Sequence, residues 1–233
     1  MKTQHKTPSQ TPGPNRNWND LSPKEFTSIY PVIEANAKRH FRCASILYDT
    51  GEHQNAIAHL ILGTEELIKA FGCLLTAKGW AVKQQPWFGK LFKNHKTRHD
   101  LIKDFFSIYL LINFSAKRVK NKKGFWASVG QAIGSTVIAA GNYIWWKNAD
   151  DMKQRAFYVD YINGLIDPAD ISKDDYETAA RYVKIFEEDI SGLMRKIEVA
   201  TPGQLKIIEE DFDLNTIGKL REQAYQLANL KKK

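Results

Sequence analysis

The sequence predicts an all-α fold, built as a helical bundle. Three observations lead there. Apolar residues recur at three- and four-residue spacing over long stretches. Helix start signals stand at Ser22 and Ser172. No stretch of useful length alternates apolar with polar residues as a half-buried strand would. Of the 233 residues 43% are apolar, enough for a substantial core in one large helical domain with extensions.

The chain begins MKTQHKTPSQTPGPNRN, which is polar, Pro-rich and without the apolar run of a signal peptide. Residues 1–20 are therefore expected to form a disordered N-terminal segment. Ser22-Pro23-Lys24-Glu25 then opens a helix: Ser22 caps it, Pro23 suits the first turn, and Glu25 completes a capping box. This helix should reach about Asp49, with a break at Pro31.

Gly51 and Gly79 bracket the second helix. At 100° per residue, Ile57, Leu60, Ile61, Leu67, Ile68, Phe71, Leu74 and Leu75 fall within one apolar arc. Glu52, Asn55, His59, Glu66 and Lys69 fall opposite, interleaved with Gly63 and Ala70. Small residues there would let another helix approach, so this helix is expected to pack on two sides and the bundle to dimerise. Glu66 and Lys69 can be read as an exposed i,i+3 ion pair of roughly 0.2–0.5 kcal/mol, or as part of a site.

Residues 80–92 read as a connection carrying Trp80, Pro86, Trp87 and Phe88. Asn94 can cap the next helix. His95 and His99 are i,i+4 there and share a face with Ile102, Phe106, Asn113 and Lys117. A helix N-terminus attracts phosphate and keeps a nearby histidine neutral, which suits a general base. The plain alternative is that one histidine packs and the other is solvated. A metal held by both histidines and a carboxylate lacks a third ligand. No Walker loop, nucleotide-binding glycine fingerprint or Cys-x-x-Cys is present. No metal and no cofactor are expected.

A basic run, KRVKNKKG, occupies 117–124. Phe125 to Trp146 follows without a single charge. As a helix it would span roughly 33 Å, enough for a bilayer core, and Gly130 and Gly134 form a small-residue packing motif. Ser128, Gln131, Ser135, Thr136 and Asn142 dilute its hydropathy, and a span would separate the two halves of the bundle. A buried or dimer-forming segment is favoured over membrane association. From Asp151 to Leu165 a further helix is expected to carry KQRAFYVDY. There Lys153, Arg155, Tyr158, Asp160 and Tyr161 could rim a phosphate site. Alternatively Phe157, Tyr161 and Ile162 pack in the core while Asp160 pairs with a cation. Ser172 with Asp175 opens a helix through Glu198, with Tyr182, Ile185, Phe186, Ile190 and Leu193 on its apolar side. Pro202-Gly203 ends it. Residues 203–233 read as an extension of two short helices, divided near Asp213–Asn215, with a basic tail.

Cys43 and Cys73 sit in apolar helical patterns and read as buried free thiols of a cytoplasmic protein. The net charge of +8 suits nucleic acid, an anionic membrane or an acidic partner without choosing among them.

Three blocks, AIAHLILGTEELIKAF, FKNHKTRHD and KQRAFYVDY, occur in that order. Together, across roughly residues 35–200, they resemble the AbiV family of phage abortive-infection proteins, within the HEPN group of all-helical domains. The resemblance implies a HEPN-like bundle over 21–200, usually a homodimer, in bacterial antiviral defence. It implies growth arrest of the infected cell through RNA or translation, with a phage-encoded protein as activator. Many HEPN proteins are metal-independent ribonucleases with an Arg-x(4–6)-His motif. This sequence departs from that motif. Lys90 and Lys93 precede His95 and His99 where arginine would stand, and lysine grips phosphate only as a point charge. The candidate catalytic set is His95, His99, Glu66 and Lys69, expected in one cleft. The candidate RNA- or phosphate-binding set is Lys90, Lys93, Lys96, Arg98, Lys153, Arg155 and Tyr158. The alternative function is a non-enzymatic dimeric interaction protein triggered by a phage protein.

Overall fold

The computed structural model describes residues 16–105, 136–161 and 163–204, with backbone alone for 136–143. The expectations for 1–15, for 106–135 and for 205–233 lie outside the described residues. Those include the basic run at 117–124, the first half of the uncharged stretch and the C-terminal extension from 205 on.

Among the described residues the fold is helical, with one small hairpin. In chain order the helices are α1 (Pro23–Asp49), α2 (His53–Ala77), α3 (Phe88–Lys93), α4 (95–105), α5 (Thr136–Phe157) and α6 (Lys173–Val199). The predicted capping boxes are both formed. Ser22 Oγ accepts from Glu25 N while Glu25 accepts from Ser22 N, and Ser172 and Asp175 do the same at α6. Each reciprocal pair satisfies two backbone donors that the helix itself leaves unpaired.

Gly51 and Gly79 adopt φ of 83° and 85°. Each closes the preceding helix with paired backbone bonds: Gly51 N to Tyr48 O with Glu52 N to Leu47 O, and Gly79 N to Thr76 O with Trp80 N to Leu75 O. A left-handed residue is what this ending requires, and glycine adopts it without a Cβ penalty. The three-residue link between α1 and α2 makes them an antiparallel pair.

α2 is the central helix. It contacts α1, α5 and α6, and it is buried on most of its circumference, from Ala56 to Thr76. The expected second packing side is thus filled within the chain. A Cβ at Gly63 would stand 2.5 Å from Phe41 Cε1 of α1, and one at Gly72 would stand 2.7 Å from Leu91 Cδ2 of α3. Aromatic rings close the bundle. Trp146 and Phe186 are fully buried, Trp145 stacks on Tyr182 at 5.6 Å, and Tyr48 stacks on Tyr176 at 4.3 Å.

Several local expectations are corrected. α1 passes through Pro31 without a break. A proline in a helix interior costs about 3 kcal/mol through its lost backbone bond and ring clash, but α1 packs along α2, and that packing holds the helix together. The 80–92 connection contains a 3₁₀ turn (Ala81–Gln84) and α3. The helix expected from Asp151 to Leu165 starts no later than Thr136 and ends at Phe157. Asp160–Tyr161 (β1) then pairs antiparallel with Leu165–Ile166 (β2), around a turn where Asn163 has φ of 59°. Asn is among the few residues that tolerate that conformation. Of the two cysteines, Cys73 is buried and Cys43 is exposed. Among the described residues no helix is long and apolar enough to cross a membrane.

Candidate functional site

The centre of the site is Glu65. It sits on α2, four residues after Ile61 and three before Ile68, inside the apolar column of that helix and 2% exposed. A carboxylate so placed must be paired, because burying it alone would cost many kcal/mol. Four side chains from two other helices pair it. His99 Nε2 lies 2.9 Å and Lys153 Nζ 2.7 Å from Oε1, while His95 Nδ1 lies 2.6 Å and Arg98 Nε 2.8 Å from Oε2. Burial alone would raise the Glu65 pKa. Hydrogen bonds from His99 and Lys153 and the charges of Lys153 and Arg98 outweigh it and hold the carboxyl well below the usual carboxylate range.

The elements deliver these groups simply. Asn94 ends α3 and caps α4, with Thr97 N donating to Asn94 Oδ1 at 3.3 Å. That leaves His95, Arg98 and His99 on the first turns of α4, at spacings that face α2. Arg98 is further fixed by donating from Nη1 to Leu91 O at 3.1 Å. Lys153 comes from α5, in a column with Trp146, Ala149 and Ala156 that is buried throughout. Asp150 lies one turn before Lys153, with Oδ1 3.3 Å from Lys153 Nζ and 3.9 Å from His99 Nε2.

The two histidines differ in what they can do. His99 is buried, its Nε2 is engaged by Glu65, its Nδ1 has no hydrogen-bond partner among the described residues, and its ring meets Trp146 edge-on at 6.2 Å. His95 has a side chain 54% exposed. Its inner Nδ1 lies among Glu65, Arg98 Nη2 at 2.6 Å and Lys153 Nζ at 3.2 Å. No hydrogen bond among the described residues engages its Nε2. With the proton on Nδ1 toward Glu65, Nε2 carries the free lone pair, which is the tautomer of a carboxylate-oriented general base; with Nδ1 accepting from Arg98 Nη2, which can only donate, Nε2 carries the proton instead. Among the described residues no group of three or more His, Cys, Asp or Glu could hold a metal ion.

The other predicted residues divide into two groups. Glu66 and Lys69 form a half-buried ion pair with each other. The carboxylate that meets His95 and His99 is the neighbouring Glu65, about 100° further round the helix. Lys90, Lys93 and Lys96 are exposed, as are Arg155 and Tyr158. Arg98 and Lys153, expected as phosphate ligands at the surface, are 6% and 4% exposed and are committed to Glu65. Reversing Arg98 to Glu would disturb the fold, because it would set a second carboxylate against Glu65.

The YVDY block is exposed. Phe157, Tyr158, Val159, Tyr161 and Leu165 are between 42% and 76% accessible, so Phe157 and Tyr161 do not pack in the core. Reading by residue type missed Glu65, although a signal was present. Glu65 and Lys153 each interrupt an otherwise apolar helical column, and a charge in such a place marks a buried partner of opposite sign.

Compared with models of known protein families, residues 26–188 match the HEPN_AbiV family, described as AbiV. None of the curated proteins and none of the solved structures matches the chain.

Proposed function

This chain belongs to the AbiV family, a family of abortive-infection proteins in phage defence, and from that premise we propose that it arrests the infected cell by cleaving RNA without metal, with His95 as general base. The observation that supports this reading best is the half-exposed imidazole of His95, its Nδ1 on a carboxylate held ionised with the help of two buried cations. In the proposed step Nε2 takes the proton of a ribose 2′-hydroxyl. The 2′-oxygen attacks the adjacent phosphorus, the bond to the 5′-oxygen breaks as that oxygen takes a proton from water to leave as a hydroxyl, and a 2′,3′-cyclic phosphate forms. Glu65 holds the imidazole in the required tautomer and balances the imidazolium that results. Glu65, Arg98, His99 and Lys153 are positioning residues. Lys90, Lys93 and Lys96, exposed around the start of α4, with Arg155 and Tyr158, would carry the RNA backbone. The reading includes a cytoplasmic homodimer released by a phage-encoded activator.

A second reading rests on a different observation. The cations of the cluster are spent on Glu65, and the exposed side chains of Phe157, Tyr158, Val159, Tyr161 and Leu165 are suited to protein contact. In that case the protein blocks a host complex without chemistry.

The two readings separate in one experiment. Purified protein is incubated with total RNA and with tRNA in EDTA, beside His95→Ala. Cleavage that falls at least about 100-fold in the variant supports the base, since a general base contributes about 10²–10⁴-fold. No cleavage by the parent, together with growth arrest lost in a Tyr158→Ser/Tyr161→Ser variant, favours the second reading.

A further inference from the structure

A second pair of histidines lies on another part of α2. His40 of α1 and His59 of α2 face each other with Nδ1 to Nδ1 at 3.0 Å, ring centroids 5.2 Å apart and planes tilted by 42°. Both are half-buried, and the site described around Glu65 does not use them. We propose that His40 and His59 bind one transition-metal ion of the kind imidazole prefers, Zn²⁺, Ni²⁺ or Cu²⁺, and that the ion clips α1 to α2.

Two neutral imidazoles with Nδ1 atoms 3.0 Å apart stand at the distance of an N–H···N hydrogen bond, which is also a distance that two ligands of one metal ion can have. One possibility is a single shared proton, with one ring donating and the other accepting. The other is a metal ion that takes both lone pairs. Metal–imidazole bonds of about 2.0–2.1 Å at angles between a square-planar and a tetrahedral value place two nitrogens roughly 2.8–3.4 Å apart. The observed 3.0 Å falls inside that range, so the two nitrogens already stand at the separation of a pair of metal ligands.

The protonation state is also the one a ligand needs. Burial lowers the pKa of His40, with the charge of His59 adding to it, and burial lowers that of His59. The charge of Glu66 acts in the opposite direction on His40, and those of Arg39 and Lys69 act with the burial. Since the described residues offer no third protein ligand close enough to complete a cluster, water would complete the coordination.

The test uses the full, metal-free chain titrated with NiCl₂ and with ZnCl₂ by calorimetry. One equivalent should bind, and His40→Ala and His59→Ala should each weaken binding at least tenfold. His95→Ala should leave it unchanged. In parallel, Ni²⁺ added to the parent should broaden the NMR resonances of His40 and His59 before those of the other histidines, a readout that needs no variant to fold. Absence of one-equivalent binding in the parent, or broadening that starts at His95 or His99, would overturn the proposal and leave the pair as a shared-proton contact.

Discussion

Replacing Glu65 by Gln tests the buried cluster most severely. The side chain keeps its shape and one carbonyl oxygen but loses its charge. Arg98 and Lys153, 6% and 4% exposed, are then left without their shared counter-ion. The new amide NH₂ also faces groups that donate, since His99 Nε2 and Lys153 Nζ converge on Oε1 while Arg98 Nε and His95 Nδ1 converge on Oε2. Removing one partner of a buried ion pair costs about 3–5 kcal/mol, a large share of the about 5–15 kcal/mol that holds a domain folded. At about 2–4 °C per kcal/mol for a chain of this size, Tm should fall by roughly 6–20 °C. Glu66→Gln is the internal control. That pair is partly solvated and its loss should cost about 1 kcal/mol or less. Urea denaturation followed by circular dichroism at pH 7 measures both. The pH dependence adds a second signature. The folded pKa of Glu65 lies below its unfolded value, so its contribution is complete above about pH 4.5 and is lost progressively as pH falls further. The parent should therefore lose stability more steeply below that point than Glu65→Gln does. A Glu65→Gln protein within about 1 kcal/mol of the parent, or one no less stable than Glu66→Gln, would refute the reasoning.

Gly63→Ala should destabilise by about 1–3 kcal/mol through overpacking, because the new methyl would meet the ring of Phe41 at 2.5 Å; the same urea titration checks it. Asp189 is raised to about 7, chiefly by burial and then by the charge of Glu188. Its folded pKa exceeds its unfolded one, so stability is lost as pH climbs from about 4 toward 7. Asp189→Asn should accordingly raise Tm at pH 7.5 and leave it unchanged near pH 3.5 in scanning calorimetry. Burial pushes the Cys73 thiol up to about 12, while Cys43 is exposed. A thiol-specific dye at pH 8 should label Cys43 promptly and Cys73 only after unfolding, and labelling of both at one rate would contradict this burial.

The sequence made most of the scaffold legible because its signals there are local. The Ser22 and Ser172 capping boxes and the glycines at 51 and 79 depend on a few adjacent residues, and each forms as read. What escaped depends on tertiary surroundings. Pro31 breaks an isolated helix, but α1 is held along its length by α2. The 151–165 segment has helical spacing, yet it leaves the helix after Phe157 and forms a hairpin whose turn holds Asn163. At the site, His95 and His99 were legible as an i,i+4 pair, and Lys153 was singled out for its charge. Their common partner was not recognised. Glu66 drew the reading because it stands on the polar face, whereas Glu65 stands among isoleucines and is conspicuous only as a break in the apolar column. Arg98 and Lys153 look alike to exposed cations in sequence, and only the position of Glu65 explains their burial.

The central claim, that His95 is the working group of the cluster, is tested most directly by phage challenge of cells carrying the parent or His95→Ala at equal protein level. The imidazole is half-exposed and its removal leaves Arg98, His99 and Lys153 on Glu65, so the variant should fold with a Tm near that of the parent. This folded variant should lose protection, with plaque counts returning to those of cells lacking the protein. A folded His95→Ala protein that protects as well as the parent would contradict it.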